Sequence, residues 1–98
     1  MYDKQTVEMY LRNYTTLSMA AKQSADDTYN IAKMDLDRGM HKLHDTSINL
    51  YKTVLGVFVF GHPIQEQAKQ MNVSKRQISR RLDDGLHMLT MIMNGEVL

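Results

Sequence analysis

The sequence has no cysteine, no long hydrophobic run and almost no net charge. Without cysteine, disulfides and cysteine-ligated zinc sites are excluded, which fits a reducing cytosol. The longest apolar run, Val54 to Phe60, is far shorter than the ~20 residues that a membrane helix needs. No long apolar run follows the start of the chain either, so we expect no signal peptide and no membrane contact.

Signatures of catalysis are also missing from the sequence. It contains no phosphate-binding glycine loop, no nucleophile elbow and no pair of carboxylates in an apolar setting. His41 and His44 stand three positions apart with Asp45 beside them, but two imidazoles without a third ligand are typical of surface histidines. We therefore predict no enzyme, no catalytic residue, no metal site and no cofactor.

The net charge of +1 conceals an uneven distribution along the chain. Residues 61–82 contain five basic residues against Glu66, a local charge of +4, whereas residues 1–60 balance at zero and residues 83–98 carry −3. A solvated helical face would explain five basic residues equally simply. A basic patch on a neutral chain is, however, the electrostatic footprint expected of a small DNA-binding protein.

The basic segment lies within residues 63–89, which predict a helix-turn-helix, two short helices joined by a tight turn. Pro63 suits the first turn of a helix, where its missing N–H is not needed. Asn72 tolerates the left-handed backbone conformation that ends a helix. Between them, apolar residues recur at helical spacing: Ile64, Ala68 and Met71.

The second of these helices begins with a capping signal. Ser74 is a favoured N-cap residue, and Gln77 three positions later completes a capping box. The helix is predicted to continue to about Met93, where Asn94 and Gly95 end it. It carries one apolar stripe: Ile78, Leu82, Gly85, Leu86 and Leu89.

Two further helices are predicted before residue 47. The first begins after Asp3 and has about five turns, and the second follows the polar residues 24–27, with Asp26 or Asp27 as its cap. They could form one bent helix, an antiparallel hairpin or half of a dimer seam. Their apolar positions are Val7, Tyr10, Leu11, Tyr14, Leu17 and Ala21 in the first, and Tyr29, Ala32, Leu36, Met40 and Leu43 in the second.

A third helix is predicted from Ser47 to Phe60 as the support of the helix-turn-helix. Its β-branched and aromatic end, from Val54 onward, has the local propensity of a strand. A lone strand would leave its backbone groups unpaired, and the chain offers no second strand, so context favours a helix. Gly61 is expected to end it.

The second half of the chain resembles the region-four domain of bacterial sigma factors. The tail R-R-L-D-D-G-L-H-M-L has a leucine, then a small residue three positions on, then apolar residues four and seven positions on. The resemblance covers about residues 48–93 and departs at Asn72, where the commonest turn residue is glycine. The whole chain is also similar to small late-transcription regulators of phages and prophages (the ArpU and RinA type), whose opening resembles residues 7–14.

These observations together predict an all-α fold with two parts. Residues 1–46 form an N-terminal helical hairpin or long helices, for dimerisation or partner binding. Residues 47–98 form a three-helix, region-four-like helix-turn-helix domain. The resemblance implies a cytoplasmic protein of a bacterial host cell.

Candidate DNA contacts follow from the helical period of the second helix. With Ile78 and Leu82 facing the core, the opposite side presents Arg76, Gln77 and Arg80, which we expect at base edges. An alternative for Arg81 is an ion pair with Asp84. The residues expected at phosphates are Lys75, Ser79 and Arg81, with Lys69 and Gln65 on the preceding helix.

We therefore predict a sequence-specific transcription regulator that binds double-stranded DNA, which the resemblance makes a phage or prophage late-gene activator. One recognition helix covers only a few base pairs, so we expect a homodimer. The N-terminal stripe through Tyr10, Leu11, Tyr14 and Leu17 could dimerise the protein, dock on RNA polymerase or simply pack on the second half. Two alternatives are an interaction protein that binds RNA polymerase or another regulator without reading DNA, and a small terminase-type DNA recognition subunit.

Overall fold

The fold is described by a computed structural model for residues 1–23 and 27–96. This part of the chain forms six α-helices and one π-helical turn and contains no strand, which confirms the all-α prediction. Residues 24–26, which include the predicted cap Asp26, lie outside the described residues. The elements are α1 (Lys4–Arg12), α2 (Tyr14–Gln23), α3 (Asp27–Thr46), α4 (Ile48–Val54), the π turn (Leu55–Val59), α5 (Ile64–Met71) and α6 (Lys75–Met93).

The predicted first helix is divided in two at Asn13. Asp3 caps α1 as expected, since its side chain accepts the N–H of Thr6 at 2.8 Å. At Asn13 the backbone takes φ −112° and ψ 31°, outside the helical range. Its side-chain amide donates to the carbonyl of Met9 at 2.8 Å, a local bond that competes with the helical pattern. The prediction of one continuous helix was therefore wrong.

Helices α2 and α3 pack against each other as an antiparallel hairpin, one of the three predicted arrangements. The Tyr14 hydroxyl, at the start of α2, donates to Asp37 in the middle of α3 at 2.6 Å. Lys33 pairs with the same carboxylate at 2.6 Å, and its ammonium lies 5.7 Å from the centre of the Tyr14 ring. The hydrogen bond to Asp37, together with partial burial, raises the pKa of Tyr14.

The predicted third helix starts as expected but ends differently. Ser47 caps α4 by accepting the N–H of Leu50 at 3.3 Å. After Val54 the helix widens into the π turn, where the N–H of Phe60 donates to the carbonyl of Leu55 at 3.0 Å. Gly61 then reverses the chain at φ 73°. Tertiary packing thus overrides the strand propensity of this segment, but with a π turn in place of a regular α-helical end.

One apolar core joins both halves of the chain, with α6 at its centre, packed against α1, α3, α4 and α5. Gly85 allows α6 to approach α4 closely, because a Cβ at this position would lie 2.6 Å from Val54 Cγ2. The predicted division between residues 46 and 47 stays a prediction, and the core itself extends across that point. The fully buried members of this core come from both sides of residues 46 and 47: Val7, Leu11, Leu36, Leu43, Val54, Ile78 and Leu89.

Candidate nucleic-acid interface

The turn between α5 and α6 sets the direction of the candidate recognition helix. Asn72 has φ 58° and ψ 46°, the left-handed conformation that the sequence predicts. The N–H of Val73 then donates to the carbonyl of Ala68 at 3.0 Å, which closes the end of α5, and the Val73 side chain packs on the core. The turn therefore holds α6 at a fixed angle to α5, as a helix-turn-helix requires.

A complete capping box begins α6. Ser74 Oγ accepts the N–H of Gln77 at 3.1 Å, while Gln77 Oε1 accepts the N–H of Ser74 at 3.0 Å. Both helix-start signals predicted from the sequence are confirmed. Two backbone donors that would otherwise need water are satisfied by protein groups, so the first turn of α6 is ordered before any ligand binds.

At the N-terminal end of α6, one face is apolar and buried and the opposite face is basic and exposed. Ile78 is fully buried and Leu82 is buried, and they anchor the helix on the core. Each residue turns the helix by about 100°, so Arg76 and Arg80, four positions apart, share the face directed away from that anchor. Both arginines are exposed, as are Lys75 and Ser79 on the flank. The predicted base-reading and phosphate residues at this end of the helix therefore form one exposed surface.

Gln77 is exposed on that surface but already has a structural role. Its Oε1 accepts the N–H of Ser74 in the capping box, which leaves its amide N–H groups and the second lone pair of the oxygen for another partner. Reading adenine requires the oxygen and the nitrogen of the amide together. A base contact of that kind by Gln77 would therefore share its oxygen between the base and the cap of its own helix.

Arg81 lies on a different side of α6 from Arg80. It is half-buried and faces a cleft formed by α4, the segment before α5, and α5, where Lys52 also lies. The alternative ion pair between Arg81 and Asp84 is not formed. The structure thus separates Arg81 from the exposed surface of Lys75, Arg76, Ser79 and Arg80.

Two further predicted contacts, Gln65 and Lys69, are exposed on α5. Lys69 stands in the last turn of this helix, beside the Asn72 turn that leads into α6. A cation at this position lies close to the start of the candidate recognition helix along the chain. In a helix-turn-helix the first helix crosses the DNA backbone, so these two side chains suit phosphates better than bases.

The basic residues of the helix-turn-helix are electrostatically unpaired. Within residues 1–23 and 27–96, ion pairs join basic side chains to acids on α1 and α3, such as Arg12 to Glu8 at 2.9 Å and Arg38 to Asp35 at 2.7 Å. None of the cations in the helix-turn-helix has such a partner in this part of the chain. These cations are Lys69, Lys75, Arg76, Arg80 and Arg81, and their charge is therefore available to an anionic ligand.

Sequence reasoning missed the cleft beside Arg81. Lys52 and Gln67 are not among the predicted site residues, although they fall within predicted helices. In the structure Gln67 is 4% exposed, and its Nε2 donates to the Lys52 carbonyl at 3.2 Å. No spacing rule links residues on three different helices, so the sequence held no signal for this cleft.

No group of three or more histidine, aspartate or glutamate side chains in the described part of the chain could hold a metal ion. His41 and His44 both lie near Asp45, at 3.7 and 3.4 Å from its carboxylate oxygens. None of the described helices is both long and apolar enough to cross a membrane.

Comparison with known proteins gives a family match. The model of a family described as ECF sigma factor matches residues 11–85, well over half of the chain. The matched region includes the hairpin of α2 and α3, α4, and the helix-turn-helix up to Gly85 of α6. No curated protein and no solved structure matches the chain.

Proposed function

The chain belongs to the ECF sigma factor family, and on this premise we propose that it is a sequence-specific DNA-binding transcription regulator that reads DNA with α6. The family is regulatory and not enzymatic in kind, and its sigma region-four-like domain is of a DNA-binding type. The observation that carries the proposal is the exposed, unpaired surface of Arg76 and Arg80 on a helix whose start is fixed by its own capping box.

We assign different roles to the basic residues of α6 and α5. Arg76 and Arg80 contact base edges, where each guanidinium can donate two hydrogen bonds to guanine O6 and N7. Gln77 keeps its capping role, and any contact that it makes to adenine shares the oxygen that caps α6. The phosphate contacts come from the flanking residues Lys75, Ser79, Lys69 and Gln65, while Arg81 contacts an anion from its cleft.

We further propose a homodimer, since two half-sites give the contacts that one short helix lacks. The predicted dimer stripe on the first helix is unsuitable, because Leu11 and Leu17 are buried in the protein's own core. Ile31 and Met34 on α3 are better candidates, because 55% and 70% of their surfaces are exposed. Substituting both with serine should convert a dimer to a monomer in sedimentation, and an unchanged mass would contradict this contact.

The regulatory target is proposed from resemblance. Similarity to phage and prophage late-transcription regulators makes late-gene activation the role to test, in a reporter strain that carries candidate late promoters. Activation that depends on Arg80 would support this role, and repression by the same protein would contradict it.

A second candidate function is docking on RNA polymerase without reading DNA. One observation favours it: an apolar groove of about 610 Å³ lies between the hairpin and the π turn, and Phe60 on its edge is 62% exposed. Phe60→Ser should then abolish binding to purified polymerase, whereas Arg80→Ala should not change it.

The experiment that separates the two functions is DNA binding by the purified protein. Fragments of the neighbouring genome are offered at a low and a near-physiological salt concentration. Retention of one fragment at the higher salt, lost in Arg80→Ala, supports the regulator. Weak binding to every fragment that vanishes with salt reflects nonspecific charge and would contradict it.

A further inference from the structure

A cleft of about 540 Å³, lined by both polar and apolar side chains, lies beside the candidate recognition helix at Arg81. It is bordered by α4, by the π turn, by the segment that joins this turn to α5, by α5 itself and by α6. The side chains that give it chemical character are Asn49, Lys52, His62, Gln70 and Arg81.

Among the described residues, the cleft is lined by two cations and by no carboxylate. The two cations are Lys52 and Arg81. In the described part of the chain neither cation forms an ion pair, whereas Arg12, Lys33 and Arg38 are each paired with an acid on their own helix. Two like charges on one concave surface repel each other, and a bound anion would turn this repulsion into attraction.

The wall of the cleft is fixed by hydrogen bonds that do not use either cation. Gln67 Nε2 donates to the Lys52 carbonyl, and Gln67 Oε1 pairs with His62 Nδ1 at 3.0 Å. Because an amide oxygen only accepts, His62 Nδ1 carries the hydrogen in this pair. The backbone of α4 is thereby joined to α5 and to the segment before it, so Lys52 and Arg81 extend from a rigid frame.

We infer that Lys52 and Arg81 together bind a phosphate group. A guanidinium donates two parallel hydrogen bonds to phosphate oxygens, and an ammonium adds a compact charge. Asn49 and Gln70 supply neutral donors on the same wall. If the proposed function holds, the bound group is a phosphodiester of the DNA backbone, and this form of the inference rests on that function. The bound group is a free phosphorylated ligand if the cleft works independently of DNA.

The test compares the wild-type protein with Lys52→Gln and Arg81→Gln. Lys42→Gln is the matched control, since Lys42 is exposed on α3 without an ion pair and lies outside the cleft. Binding to a retained fragment and to unrelated DNA is measured over a range of salt concentrations. In a separate experiment inorganic phosphate is added while the Nε–H signal of Arg81 is followed by NMR, and circular dichroism checks that each variant is folded.

For a DNA phosphate, each cleft variant should reduce the salt slope by about 0.9 and weaken binding equally on both DNAs, while the control leaves the slope unchanged. For a free ligand, the slope should stay as in the wild type, and inorganic phosphate should shift the Arg81 signal in the wild type but not in Lys52→Gln. Unchanged slopes together with an unresponsive Arg81 signal would overturn the inference. If the wild type binds no DNA, the proposed function fails, and the phosphate titration alone decides the cleft.

Discussion

Gln77 and Ser74 exchange hydrogen bonds at the start of α6: Gln77 Oε1 accepts the N–H of Ser74 at 3.0 Å, and Ser74 Oγ accepts the N–H of Gln77 at 3.1 Å. This reciprocal pair orders the turn that carries Arg76, so the exposed arginines are presented on a helix that is already formed. Preorganisation of this kind lowers the entropic cost of binding.

Removing the cap should destabilise the protein. Ser74→Ala is expected to lower the free energy of unfolding by about 1 kcal/mol, because the N–H of Gln77 loses its acceptor. Ser79→Ala on the exposed side of the same helix is the control and should stay within about 0.5 kcal/mol of the wild type. Urea denaturation measures both. Equal losses in the two variants would contradict the capping role.

Gln77→Glu separates capping from base reading. Glutamate also completes a capping box, so the free energy of unfolding should stay close to that of the wild type. Its negative charge should weaken binding to all DNA to a similar extent, and the ratio of cognate to unrelated affinity should be kept. A loss of discrimination confined to sites with adenine at one position would show that Gln77 reads a base.

Gly56→Ala should disturb the contact between the π turn and α5. A methyl group at this position would overlap Gln67 Oε1, so the buried amide would have to move away from the Lys52 carbonyl. We expect a loss of about 1–3 kcal/mol in the free energy of unfolding. In a Gln67→Ala background the same substitution should cost much less. Equal costs in both backgrounds would show that the two residues are not coupled.

Stability at high pH should depend on Tyr2. Burial, and next the hydrogen bond from its hydroxyl to Asp35 at 2.7 Å, raise the pKa of Tyr2 from 10.0 to about 12. Its neutral form is stabilised by folding, so this contribution is complete below pH 10 and is lost as the pH rises to about 12. The midpoint temperature of thermal unfolding should therefore fall more steeply across this pH range in the wild type than in Tyr2→Phe. Parallel curves would contradict the shift.

The helix-turn-helix could be predicted from sequence because its signals are local. Asn72 in the turn, Ser74 as cap and Gln77 as its partner act within a few residues of one another, and each has the predicted role. The apolar stripe through Ile78 and Leu89 could also be predicted, since a helix that packs on a core has apolar residues at regular helical spacing.

The features that escaped prediction depend on contacts between distant residues. The π turn at Leu55–Val59 adjoins the buried Gln67, whose partners lie on α4 and on the segment before α5. The break at Asn13 depends on one side-chain amide competing for the carbonyl of Met9. Arg81 was predicted at phosphates together with Lys75 and Ser79, because spacing alone does not show that α4 lies beside it.

The most direct test of the proposed function is base discrimination by Arg80. Affinities are compared at one salt concentration for three kinds of DNA: a retained fragment, single-base variants of it, and unrelated DNA. The proteins compared are the wild type, Arg80→Ala, Arg76→Ala and the control Arg38→Ala. Each of Arg76→Ala and Arg80→Ala should cost about 1–3 kcal/mol on the cognate site and relax the preference at one base pair, with little change on unrelated DNA. The control should leave discrimination unchanged. An equal loss on every sequence would contradict base reading by α6 and make these arginines phosphate contacts.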